Sequence, residues 1–116
     1  MVRANLVKLC SINMTVLTFA AALAAVACGG TLPPPSTGDA KAASTRWPGT
    51  SIEQLQAGRR AYLAQCGKCH SLKSESAVPK EAWEETVSRM RSKNGAKLSD
   101  EEVADISRYL YAIASR

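Results

Sequence analysis

The short segment Cys66-Gly67-Lys68-Cys69-His70 constrains the fold of this chain more than any other feature of its sequence. It holds the only His of the chain and two of its four Cys, and no Cys or His follows it. Aromatic residues, which normally supply much of a buried core, make up only 5% of the chain. A small domain with so little aromatic area usually needs a disulfide, a metal or a cofactor for stability. We therefore expect the fold to be organised around the chemistry of this segment.

The C-x-x-C-H spacing of this segment is typical of covalent attachment of a c-type haem. Two Cys three positions apart at a helix end can each form a thioether with a vinyl group of one porphyrin, and the adjacent His can then ligate the iron. We predict one haem c, attached at Cys66 and Cys69 and ligated by His70.

Other roles for the two Cys and the His fit the sequence less well. A structural zinc site needs four Cys or His ligands, and only three are present here. A disulfide across two intervening residues would close too small a loop to add much stability. A thiol redox centre stays open as an alternative, although the strand and helix context of thioredoxin-like motifs is absent from the pattern.

The second axial ligand of the iron follows by elimination. His70 is the only His, and Met90 is the only Met outside the first 14 residues. A thioether suits haem iron in electron-transfer proteins, where His/Met ligation raises the reduction potential. We predict Met90 as the sixth ligand. The alternatives are an ordinary core role for Met90, as for most helical Met, and an open or water-ligated iron.

The N-terminus has the pattern of a bacterial lipoprotein signal. Arg3 and Lys8 precede a largely apolar run over residues 12–27, which closes on small residues directly before Cys28. We predict a signal peptide over residues 1–27 and lipidation at Cys28. An uncleaved membrane anchor or an ordinary signal is the alternative, although the apolar run is a little short for the roughly 20 residues of a spanning helix.

Composition divides the remaining chain into a tether and a domain. Residues 28–49 are rich in Pro, Ser, Thr and Gly without an apolar period, so we predict a flexible tether there and a folded domain over residues 50–116. The tether would hold the domain on the periplasmic side of a bacterial membrane. Removal of Arg3 and Lys8 with the signal lowers the formal net charge from +5 to +3. We expect no nucleic-acid partner, because such a partner requires a dense basic face.

Apolar spacing in the predicted domain indicates helices only. The residues of the three apolar faces are Ile52, Leu55 and Tyr62, then Trp83, Val87 and Met90, then Val103, Ile106, Leu110 and Ile113. Capping boxes are expected at Thr50–Glu53 and Ser99–Glu102. Pro79 suits the first turn of the middle helix and Asn94-Gly95 its end. No alternating strand pattern is visible, so we predict an all-α fold of three to four helices around one haem.

These residues resemble class I-type c-type cytochromes in their small bacterial monohaem form, over the predicted domain but not the tether. Gly58-Arg59-Arg60-Ala61-Tyr62, which leads into Cys66, is similar to the first helix of that family. There a Gly permits close crossing by an aromatic of the last helix, matched here by Tyr109-Leu110. The spacing Trp83-x-x-x-Val87-x-x-Met90 resembles bacterial haem domains whose Met ligand lies on or just after a short helix.

The resemblance also implies features of the site and its use. The gap between His70 and Met90 is short, which implies a small covering loop and an exposed haem edge. By analogy, a backbone carbonyl near Val78-Pro79 would accept the Nδ1 hydrogen of His70. The implied role is that of an exported single-electron carrier, not an enzyme, which meets its redox partner proteins through small transient contacts.

Two other functions of a haem domain stay open. A haem-based sensor of gases or other small ligands would need an open sixth position on the iron. A dedicated haem subunit of a larger oxidoreductase complex would share every motif named above. The sequence therefore leaves open whether the chain acts as a monomer or as a complex subunit.

Overall fold

Four α-helices make up most of the computed structural model, which describes residues 32–116. They are α1 (Thr37–Ser44), α2 (Ile52–Gln65), α3 (Trp83–Asn94) and α4 (Asp100–Ile113), with 3₁₀ turns at Cys66–Lys68, Glu75–Ala77 and Lys80–Ala82. Residues 32–116 contain no β-strand, so the prediction of an all-α fold is confirmed. The predicted signal over residues 1–27 and the predicted lipidation site Cys28 lie outside the described residues.

Helix α4 is the central helix, and it packs against α1, α2 and α3. Its predicted capping box is confirmed: the Ser99 hydroxyl accepts from the Glu102 N–H at 3.1 Å, and the Glu102 carboxylate accepts from the Ser99 N–H at 2.8 Å. Nine residues of α4 are buried, including Ile106 and Leu110 of the predicted apolar face. The core therefore lies along this helix. No helix in residues 32–116 combines the length and the apolar character that crossing a membrane requires.

Helices α2 and α4 cross in close contact at Gly58. A Cβ atom at this position would collide with the carbonyl group of Asp105 and lie 3.0 Å from the backbone nitrogen of Ile106. Only a residue without a side chain allows this approach, so the expected close crossing is confirmed. The groups that meet Gly58 are backbone atoms of α4 one turn before the expected Tyr109-Leu110.

Two helix starts differ from the predictions. The N-cap of α2 is Ser51, which forms a capping box with Gln54. The expected box at Thr50–Glu53 is wrong, because the Thr50 hydroxyl instead donates to the Trp47 carbonyl at 2.7 Å.

The start of the middle helix is also later than expected. Pro79 precedes a 3₁₀ turn, and the α-helix begins only at Trp83. Its predicted end is confirmed, because Gly95 caps α3 with a φ of +73°.

Residues 32–50, here called the N-terminal strap, belong to the folded unit, which begins at Leu32. The prediction of a flexible tether is therefore wrong for residues 32–49. Ser36 and Asp39 form a capping box that starts α1. Leu32 and Ala43 are buried in the core. Short alanine-rich helices lack an apolar period, which is why composition alone indicated a tether.

Side chains of the bundle hold the first part of the N-terminal strap by its backbone. The Leu32 carbonyl accepts from Arg59 at 3.1 Å, and the Pro33 carbonyl accepts from the Tyr109 hydroxyl at 2.8 Å. These contacts fix the strap against α2 and α4.

Candidate cofactor site

A largely apolar cavity of about 320 Å³ opens beside the C-x-x-C-H segment. The predicted site residues Cys66, Cys69, His70 and Met90 all line it. The structure thus brings together two parts of the chain that are separate in sequence, the end of α2 with its following turn and the middle of α3. Apolar side chains complete the wall, among them Val78, Trp83, Val87 and Leu98.

The end of α2 places the two Cys on the cavity wall. Cys66 caps the helix, and its N–H donates to the Tyr62 carbonyl. A 3₁₀ turn over Cys66–Lys68 follows at once and carries the chain to Cys69. Both thiols are free: Cys66 is half-buried and Cys69 is exposed. Helix end and tight turn together therefore present both sulfur atoms to one cavity.

Burial raises the pKa of the Cys66 thiol, and the neighbouring Cys69 raises it further. A raised pKa lowers the thiolate fraction at neutral pH, and the thiolate is the reactive form in thiol–disulfide exchange. Reactive redox Cys are found instead in electropositive surroundings that lower the pKa. The environment of Cys66 therefore disfavours the thiol redox alternative.

His70 is exposed, and its ring is oriented by its own neighbour. The Nδ1 atom lies 2.8 Å from the Ser71 carbonyl oxygen, which can only accept. A proton on Nδ1 makes this a hydrogen bond and leaves the Nε2 lone pair available to a metal, the usual arrangement for a ligating His. The expectation of an acceptor near Val78-Pro79 is wrong, because the Nδ1 atom of His70 is paired with the carbonyl of the adjacent Ser71 instead.

Met90 is half-buried and continues the apolar face of α3 from the core to the cavity. Trp83 and Val87 on the same face are buried. The Asn94 side-chain amide donates to the Met90 sulfur at 3.4 Å. No sequence motif marks Asn94, although its position four residues after Met90 places the two side chains together on a helix.

Two aromatic residues of the cavity wall also fasten the loop that follows His70. The Tyr62 hydroxyl donates to the Lys73 carbonyl at 2.7 Å and accepts from the Lys73 N–H at 2.9 Å. The Trp83 indole N–H donates to the Glu75 carbonyl at 3.0 Å. Sequence periodicity assigns both aromatics to the core, but it gives no sign of these polar contacts because their partners lie in an irregular loop.

Within residues 32–116, no three or more His, Cys, Asp or Glu side chains are grouped so that they could hold a metal ion. Comparisons of the chain with protein-family models, characterised proteins and solved structures found no match.

Proposed function

We propose that this protein is a c-type cytochrome that transfers single electrons, with one haem c held in the cavity. The observation that carries the proposal is the convergence of Cys66, Cys69, His70 and Met90 on one apolar cavity. These are two thiols for thioether attachment, an imidazole and a thioether, the donor set of a His/Met-ligated haem. A cavity of about 320 Å³ falls within the range of small-molecule and cofactor sites, and its apolar wall suits a porphyrin.

The four predicted site residues would each have a distinct role in holding the haem. Cys66 and Cys69 would hold the group covalently, and His70, with Nδ1 fixed by the Ser71 carbonyl, would offer Nε2 to the iron. Met90 would offer a soft sulfur ligand from the same face of α3 that carries the buried Trp83 and Val87. Bound haem would supply a reversible ferric/ferrous couple.

The surroundings of the cavity suit an electron carrier. Buried Trp83 and Val87 exclude water from its inner wall. Gly67 and Lys68, which lie between the two Cys, are exposed and do not line the cavity, so the attachment side of the group would be accessible to redox partner proteins. Carriers of this kind make small, transient contacts with their partners.

Export belongs to the same proposal. Haem attachment of this type requires export in bacteria, and the signal over residues 1–27 with lipidation at Cys28 would supply it. The protein would then act at the periplasmic side of a membrane, as a free carrier or as a subunit of a larger oxidoreductase.

The visible spectrum of the full chain, expressed with haem-maturation machinery, tests the proposal. We expect a covalently bound, low-spin c-type spectrum in both oxidation states, with a weak far-red sulfur–iron band in the oxidised form. Replacing both Cys66 and Cys69 by Ala should abolish covalent haem. Met90→Leu should retain covalent haem but lose the far-red band. Leu98→Val alters the same cavity without removing a candidate ligand, and it should keep the band.

The other outcomes identify the rival functions. A colourless wild-type protein would end the cytochrome proposal. A high-spin spectrum that shifts on addition of carbon monoxide would indicate an open sixth position and favour a gas or ligand sensor.

A further inference from the structure

The Tyr62 hydroxyl makes an unusual pair of contacts. It binds both backbone groups of one residue, donating to the Lys73 carbonyl at 2.7 Å and accepting from the Lys73 N–H at 2.9 Å. Its ring is buried, with 3% of the residue exposed. The hydroxyl therefore donates to and accepts from the backbone of one residue, Lys73, which lies three positions after His70.

Tyr62 also holds the chain on the other side of the C-x-x-C-H segment. Its backbone carbonyl accepts from the Cys66 N–H at the end of α2. One residue thus fixes the chain both where the segment begins and just after it ends. Among the hydrogen bonds of the described residues, those of the Tyr62 hydroxyl are the only ones that reach the backbone of residues 71–73 from another element of the fold.

We propose that Tyr62 is a positioning residue for His70, because its hydroxyl fixes the backbone path that carries the His ring to the cavity wall. The hydrogen bond of the ring is to the Ser71 carbonyl, which belongs to the same stretch of backbone. Its orientation therefore depends on where that stretch is held. This inference deepens the proposed function and rests on it for the role of His70 as a ligand.

Tyr109 provides a matched control. It is the other tyrosine with a deeply buried ring and a hydroxyl bound to a backbone carbonyl, here that of Pro33 at 2.8 Å. Burial raises the pKa of both Tyr62 and Tyr109, so both hydroxyls are neutral at pH 7. Tyr62→Phe and Tyr109→Phe each remove one oxygen and keep a buried ring. Only the first removes the contact with the His70 segment.

Amide hydrogen exchange in the full-length protein measures the backbone effect directly. Two neutral hydrogen bonds correspond to a change of about 5- to 150-fold in a local opening equilibrium. Lys73 is exposed, and water can replace the lost partners, so we expect the lower end of this range. Tyr62→Phe should speed exchange of the Lys73 amide by at least about fivefold, and Tyr109→Phe should leave it unchanged. Circular dichroism should show the helix content of the wild type in both variants.

The visible spectrum of the haem-bearing protein is the second measurement. If Tyr62 had only a structural role, Tyr62→Phe would not change this spectrum more than Tyr109→Phe does. Tyr62→Phe should retain covalent haem but weaken the far-red band or allow carbon monoxide to bind, whereas Tyr109→Phe should match the wild type. Equal effects of the two variants, or unchanged exchange and spectrum in Tyr62→Phe, would overturn the inference. A colourless wild type would refute the proposed function, and the exchange comparison would still decide whether Tyr62 holds this stretch.

Discussion

The carboxylate of Asp39 binds the N-terminal strap to Arg116, three residues after the end of α4. It accepts two hydrogen bonds from the Arg116 guanidinium, at 2.7 Å and 3.0 Å, and two from Ser36, at 2.6 Å and 2.7 Å. Asp39 itself is buried, with 4% of the residue exposed. The hydrogen bonds from Arg116, opposed by burial and aided by Ser36, lower the pKa of Asp39 from 3.8 to about 2.

This shift in pKa gives the magnitude of the contribution to stability. A difference of nearly two pKa units between folded and unfolded chain corresponds to about 2 kcal/mol. The Arg116 side chain is 44% exposed, and solvent screening lowers the expected value to about 1–2 kcal/mol. Because the folded-state pKa is depressed, this stability is present above pH 3.8 and is lost as the pH falls through about 2.

Asp39→Asn isolates the charge, because an Asn side chain can still accept a hydrogen bond from the Ser36 N–H. At pH 7 we expect its free energy of unfolding to be about 1–2 kcal/mol below that of the wild type, measured by urea denaturation. The difference should shrink between pH 4 and pH 2, where the wild-type carboxyl takes up its proton.

A second ion pair that also joins the N-terminal strap to the body serves as the control. Glu84 accepts from Arg46 at 2.7 Å, but both side chains are more than a third exposed. Glu84→Gln should therefore cost less than about 1 kcal/mol. Two results would contradict this account. One is that Asp39→Asn lowers the free energy of unfolding at pH 7 by no more than Glu84→Gln does. The other is that Asp39→Asn lowers it by the same amount at pH 3 as at pH 7.

Two further predictions concern the packing of the bundle. Gly58→Ala should lower the free energy of unfolding by about 3 kcal/mol or more, because the new methyl group meets the immobile backbone of Asp105. Gly38→Ala should be neutral or stabilising by up to about 1 kcal/mol, because its methyl group would meet only a serine hydroxyl at 3.6 Å. If urea denaturation gave the two variants the same free energy of unfolding, the close crossing at Gly58 would be contradicted. A chain that starts at Ser51 should unfold at a lower temperature than one that starts at Leu32, because it lacks the N-terminal strap. Equal unfolding midpoints for the two chains would mean that residues 32–49 add no stability, as expected of a flexible tether.

The parts of the fold that the sequence predicts are those that depend on neighbours in the chain. Apolar spacing identifies the faces of α2, α3 and α4, because side chains three and four positions apart share a helix face. The Ser99–Glu102 capping box and the Gly95 helix end are local for the same reason. Local signals still misplace boundaries, as at the start of α2, where two overlapping capping boxes are available and Ser51 is used.

The parts that sequence reasoning missed depend on contacts between distant residues. Arg116 reaches Asp39 from 77 positions away along the chain, and no local pattern marks such a pair. The same holds for the hydroxyl of Tyr62 and the indole of Trp83, whose acceptors lie in an irregular loop. An aromatic side chain in an apolar pattern shows that it is buried, but not where its polar end is satisfied.

The candidate site combines both kinds of information. Cys66, Cys69 and His70 come together through a helix end and one tight turn, so their arrangement follows from the C-x-x-C-H segment itself. Met90 reaches the same cavity only because α4 packs against both α2 and α3. Covalent attachment would therefore depend on local structure, and ligation by Met90 on the integrity of the whole bundle. A perturbation of α4 packing should weaken the sixth ligand before it affects attachment.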